Sequence, residues 1–275
     1  MQRGATNFEV LDSKLAEELK TVQSEIDLNL YRWYTNKPNF KGQHVVTDES
    51  GFRIDAPLTS KDKTLGMYGG STTFSVMTSQ RDTIADQLTN MINDYQVMNF
   101  GVGGYSTGAE IMTFVESLRL YPKITHAIFY DGVNELGRQR DSFSNGIPSS
   151  SYDLIGSPYP GGLNLALSRE QGLGITLKST NIYRVSEWIL RKLNSPMHLE
   201  DSASLNKIVD RYFSNIRVLR AICREFQVKC YFVWQPTIFN TDEHVLTNRE
   251  LKIRSETPMK SYVELSNLIL SDKRA

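Results

Sequence analysis

Apolar positions Leu11, Leu15, Leu19, Val22 and Ile26 recur at helical spacing near the start of the chain. They predict an amphipathic helix within residues 8–34, ended by Pro38. Lys41 to Pro57 holds no sustained period and reads as an irregular or short-stranded lead-in. From residue 62 the pattern alternates. Thr64–Tyr68 is a short apolar strand, Ile84, Leu88 and Met91 mark a helix, and Tyr95–Phe100 is a second strand. Ile111, Phe114, Val115 and Leu118 place a further helix stopped at Pro122, followed by a strand over Thr125–Tyr130. Later, Leu205, Ile208, Tyr212, Ile216, Leu219 and Cys223 form a long helical stripe leading into a strand at Lys229–Trp234. Strands alternating with helices in this way predict an α/β fold, a parallel sheet covered on both faces. Ligands of such sheets sit beyond the carboxyl ends of the strands.

Those ends carry the informative residues. The first strand runs into Gly69-Gly70-Ser71-Thr72-Thr73-Phe74, the second into Asn99-Phe-Gly101-Val-Gly103-Gly104, the third into Asp131-Gly-Val-Asn134. A serine, a glycine amide and an asparagine delivered from three successive strand ends suit an activated serine facing an oxyanion hole. Ser71 is then the nucleophile, and Gly104 N–H and the Asn134 carboxamide are oxyanion donors. Each also has a plainer reading. Ser71 suits a helix N-cap, the glycines a tight turn, and Asn134 a loop. The glycine run lacks the spacing of a dinucleotide fingerprint and the Gly-Lys-Ser/Thr of a phosphate loop.

Composition narrows the partners. Lys plus Arg and Asp plus Glu balance at 31 each in 275 residues, with no basic run interleaved with aromatics, so no nucleic-acid partner is expected. No apolar stretch approaches the ~18 residues of a membrane span, and residues 1–7 have no apolar secretory core. His44, His126, His198 and His244 lack ligand spacing, so neither metal nor cofactor is expected. Cys223 and Cys230 read as two separate buried or half-buried thiols. Two segments divide the chain: residues 1–57 (helix and lead-in) and 58–275 (the α/β domain), the latter with an insertion at about 136–200. Ser142 to Gly162 within it, rich in Ser, Gly and Pro around Tyr152 and Tyr159, is either a surface excursion or a wall over the crevice.

The order and wording of the three blocks resemble the SGNH (GDSL-like) hydrolase family over about residues 25–256. The Gly-Gly-Ser-Thr-Thr-Phe and Asn-Phe-Gly-Val forms look like its polysaccharide-associated branch. The resemblance implies a three-layer α/β/α, flavodoxin-like parallel sheet and a serine esterase acting on acyl (acetyl) esters of a carbohydrate or similar polar substrate. It also implies the bacterial cell envelope. Glycan O-acyltransfer would use the same residues, and a degenerate glycan-binding module would keep the fold. The sequence departs from the family in three places. Gly70 stands where an Asp is usual, Glu135 stands where Asp usually follows the Asn, and the closing Asp-x-x-His block and its fifth strand are not found. His244 follows the fourth strand, but Asp242 stands two positions before it rather than three, and it reads as a solvated loop residue.

Overall fold

The strands and helices expected from residue 62 build a four-stranded parallel sheet. The computed structural model describes residues 13–25, 27–29, 32–53, 63–92, 94–121, 123–136, 202–256 and 259–275. Helix α1 spans Ser13–Ser24 and is followed by a two-stranded antiparallel sheet, β1 (Asp27–Asn29) and β2 (Trp33–Thr35). The helix expected within 8–34 therefore gives way to strands. The reason is in the sequence: Ile26, Leu28 and Leu30 repeat every second residue, and Trp33-Tyr34-Thr35 is a β-favouring triplet.

Strand β3 (Lys63–Gly69) leads into the single turn α2 (Ser71–Phe74), then α3 (Ile84–Met91), β4 (Tyr95–Asn99), α4 (Thr107–Leu120) and β5 (Ile124–Asp131). After the insertion, which lies outside the described residues, come α5 (Ser202–Glu225), β6 (Lys229–Trp234), α6 (Asn248–Glu256) and α7 (Lys260–Ser271). The sheet order is β4-β3-β5-β6, with every pairing parallel. This is the flavodoxin-like order, with its switch between the first and third strands of the sheet, β3 and β5. No fifth strand joins it among the described residues.

Packing divides the chain into two units, residues 1–134 with 214–235 and residues 135–213 with 236–275. In the first, β3 is buried along all but its first residue, as a strand covered on both faces must be. Leu65 and Met67 point to one face, where they cluster with Val97 and with Ala85, Ile84 and Leu88 of α3. On the other face Tyr68 stacks between Phe100 and Phe129, meets Phe114 of α4 edge-on, and shares a 2.7 Å hydrogen bond with Ser117. Gly66 makes room for this ring, since a Cβ there would lie 2.6 Å from the phenol oxygen. Farther out, Phe129 stacks on Phe232, which lies under Arg220 of α5. These layers make the unit an α/β/α sandwich.

The two cysteines are joined. Cys223 of α5 and Cys230 of β6 form a disulfide, with Cα atoms 6.2 Å apart, which corrects the expectation of two separate thiols. Only seven positions separate them. The chain reverses between them through Gln227, whose φ of 55° turns helix end and strand start face to face at bonding distance.

Two buried charges fix the N-terminal segment, and among the described residues neither contacts an opposite charge. Glu18 of α1 accepts from the N–H groups of Gln43, His44 and Val45 at 2.8–3.0 Å. Burial alone would raise this carboxyl, but the three donors outweigh it and hold it below the usual carboxylate range. Arg53 directs all five of its N–H donors at protein oxygens: Gln80 Oε1 and the carbonyls of Phe74, Ser75, His44 and Thr78, at 2.7–3.1 Å. Burial pulls its pKa down to about 10, opposed by Asp86 and Glu18. In the second unit Tyr262, Leu265 and Ile269 give α7 its buried side, and Arg254 donates to Thr241 O at 2.9 Å.

Two measurements check these assignments. Because the Glu18 pKa is lower folded than unfolded, its stabilisation is complete above the unfolded value of about 4.3 and fades as pH falls through the folded one. Glu18→Gln should therefore lower Tm at pH 7, with the gap to wild type closing on acidification; a gap independent of pH would contradict the assignment. Cys230→Ser should cost about 2.5 kcal/mol by loop-closure entropy, read as a lower midpoint in urea, and wild type in reductant should match it.

Candidate active site

Strand β3 ends at Gly69, and α2 starts immediately after it. The N-cap of that turn is Gly70, with no side-chain cap, so half-buried Ser71 occupies the first helical position and its hydroxyl does not cap the turn. Its N–H belongs to the first turn of α2, which has no intrahelical acceptor. A single turn cannot stand alone, and the surroundings hold this one from several sides. Ser75 closes it in a left-handed conformation at φ 64°, and Arg53 binds the carbonyls of Phe74 and Ser75 from behind. Gln235, following β6, donates from Nε2 to Thr72 Oγ1 at 2.9 Å.

The second turn is packed against the first. Phe100 N donates to Met67 O and Val102 N to Gly69 O, at 2.8 and 3.1 Å, continuing the β3–β4 ladder past the strand ends. A Cβ at Gly101 would lie 2.4 Å from Phe74 N and 2.7 Å from Thr73 C, so backbone rests on backbone there. The buried Asn99 carboxamide ties the pair: Nδ2 donates to Thr73 O at 2.8 Å and Oδ1 accepts from Gly101 N at 3.0 Å. Gly104 completes the turn at φ 82°, a conformation that favours glycine.

The third turn follows β5, where a helical turn begins at residue 133. Half-buried Asn134 donates from Nδ2 to Tyr105 O at 2.7 Å. The same nitrogen rests on Gly70, where a Cβ would come within 2.1 Å of it and within 3.1 Å of Tyr105 O. That accounts for glycine at position 70. Ser71 is the residue after Gly70 and Gly104 the residue before Tyr105, so the fold brings all three expected blocks to one place.

The histidines are elsewhere. His44 lies in the lead-in, with Nδ1 2.7 Å from Ser79 Oγ. His126 stands near the start of β5, beside Thr125 Oγ1 at 3.0 Å and edge-on to Tyr95; burial, with Lys229 and Lys63, lowers its pKa. His244 is exposed in the second unit, and His198 lies outside the described residues. Among the described residues no group of three or more His, Cys, Asp or Glu is placed to hold a metal ion, and no helix is long and apolar enough to cross a membrane. Sequence reasoning missed the Tyr105 carbonyl, Arg53 and Gln235, because each acts across more than 20 residues of chain.

No protein-family model and no curated protein matches the chain. The chain is similar to esterases of known structure. The crystal structure of AlinE4, an SGNH-hydrolase family esterase, matches at 15% identity and TM-score 0.30, over 72% of this chain and 94% of that one. Two mutants of that esterase match at 15% identity and TM-score 0.31, over 72% and 79% of this chain and 94% and 100% of theirs. So loose a likeness carries no weight for the chemistry.

The contacts lead to two expected outcomes. Gly70→Ala should drive the Asn134 carboxamide off its seat, seen as a changed side-chain amide resonance in a protein that still folds. Asn99→Ala strands the Gly101 N–H and Thr73 carbonyl, and should cost about 1–3 kcal/mol in urea unfolding.

Proposed function

We propose that the chain is a serine acyl-ester hydrolase with Ser71 as nucleophile. The reading is supported by one observation: Asn134 Nδ2 packs against Gly70 and donates to the Tyr105 carbonyl, and Gly70 and Tyr105 are the chain neighbours of Ser71 and Gly104. Ser71 Oγ attacks the ester carbonyl carbon and the carbonyl oxygen becomes an oxyanion. The N–H groups of Ser71 and Gly104 and the second Nδ2 hydrogen of Asn134 stabilise it. The alkoxide leaves with a proton, and water then releases the acyl group from Ser71. Glycan acyl esters are the substrate class that the family resemblance supports. A sugar hydroxyl in place of water would turn the same steps into transfer.

The serine proton needs an acceptor. No aspartate stands three residues before any of the four histidines, so the Asp-x-x-His arrangement is not available within this sequence. With oxyanion donors and binding alone, about 10³–10⁴ over the water rate remains, and slow turnover is expected. A second reading, a module that binds acylated glycans without turnover, would keep the same fold.

Reaction with a fluorophosphonate probe and with p-nitrophenyl acetate separates the two. Hydrolysis should be slow and fall to background in Ser71→Ala, and Asn134→Ala should lose about 10²-fold or more in kcat. A folded wild-type protein that is not labelled at Ser71 would leave the binding module as the better reading.

A further inference from the structure

Strand β2 belongs to the N-terminal lead-in, outside all three blocks, yet it grips the turn that carries Gly104. Tyr34 of β2 donates its hydroxyl to Gly103 O at 2.8 Å. Asn36 Nδ2 reaches Gly51 O at 3.2 Å and Gly101 O at 3.5 Å. The Tyr34 ring is buried edge-on against Tyr105, with centroids 5.2 Å apart, in a cluster with Val102 and Ala109. The Tyr105 hydroxyl in turn is hydrogen-bonded to the carbonyls of Arg32 and Tyr34. Arg32 anchors the strand, donating to Thr35 Oγ1 and Ser50 O at 3.2 and 2.9 Å and pairing with Glu116 of α4.

The carbonyl that Tyr34 binds is half of the peptide whose other half is the Gly104 N–H. A trans peptide is planar, with C=O and N–H pointing in opposite directions, so fixing one fixes the other. A hydrogen bond to the oxygen also polarises the unit and strengthens its N–H as a donor, by roughly 10–30%. Glycine on both sides of this peptide gives it rotational freedom that an outside contact must remove. We infer that Tyr34 is a positioning residue of the oxyanion hole: it aims and polarises the Gly103–Gly104 peptide. The inference rests on the reading of Gly104 as an oxyanion donor.

Tyr34→Phe keeps the ring packing and deletes only the donor, so it is the test. The assigned Gly104 amide resonance should move to lower 1H and 15N frequency. The maximal rate of Ser71 labelling by a fluorophosphonate should fall about five- to tenfold at unchanged half-saturating concentration. Tyr121→Phe serves as the stability control. It removes another hydroxyl contact to the lead-in, to Asp48 at 2.9 Å, and should lower Tm without changing the labelling rate. An unmoved Gly104 resonance, or equal labelling rates in Tyr34→Phe and a wild type that does label, overturns the inference. A wild type that does not label at Ser71 overturns the esterase reading beneath it, and the catalytic role of Tyr34 with it.

Discussion

The site depends on backbone touching backbone where three strands end. Gly101 rests on the peptide between Thr73 and Phe74, and Gly70 receives the Asn134 nitrogen at a place a methyl group would occupy. Close approach of this kind leaves buried peptide groups that need partners, and two carboxamides provide them. Asn99 spans the first and second turns, and Asn134 spans the first, second and third. The glycines create the proximity and the asparagines make it stable. Neither device would work without the other.

The N-terminal segment acts as the back wall of this arrangement. Glu18 orders the 43–45 loop through three N–H donors, and Arg53 carries that order to α2 by binding carbonyls on both sides. Both are buried charges met by dipoles rather than by a contacting counterion, an arrangement that is costly to leave incomplete. The result is a one-turn helix fixed in place although it is far too short to be stable alone.

The sequence revealed the sheet because its strands are short apolar runs separated by helix-period stripes; β6 was read at the same residues that the structure shows. It revealed the three turns because glycine and asparagine mark strand ends regardless of tertiary context. The hairpin of β1 and β2 was obscured, since Ile26 suits a helical spacing from Val22 as well as the alternation with Leu28. The disulfide was missed because seven-residue spacing says nothing about whether a chain reverses between two cysteines. What Tyr34 does could not be read from sequence at all: its acceptor lies 69 residues away, and no local pattern marks a tyrosine that reaches a glycine carbonyl.

The bridge between Cys223 and Cys230 sits at the beginning of β6, while Gln235 at its far end is held by a hydrogen bond to Thr72 and by another from its N–H to Asp131 O. One end of this strand is thus tied covalently to α5, and the other is hydrogen-bonded to β5 and to the turn after β3. The bond from Gln235 to Thr72 steadies the neighbour of Ser71, so any loosening of the sheet margin at the end of β6 would reach the turn that carries Ser71.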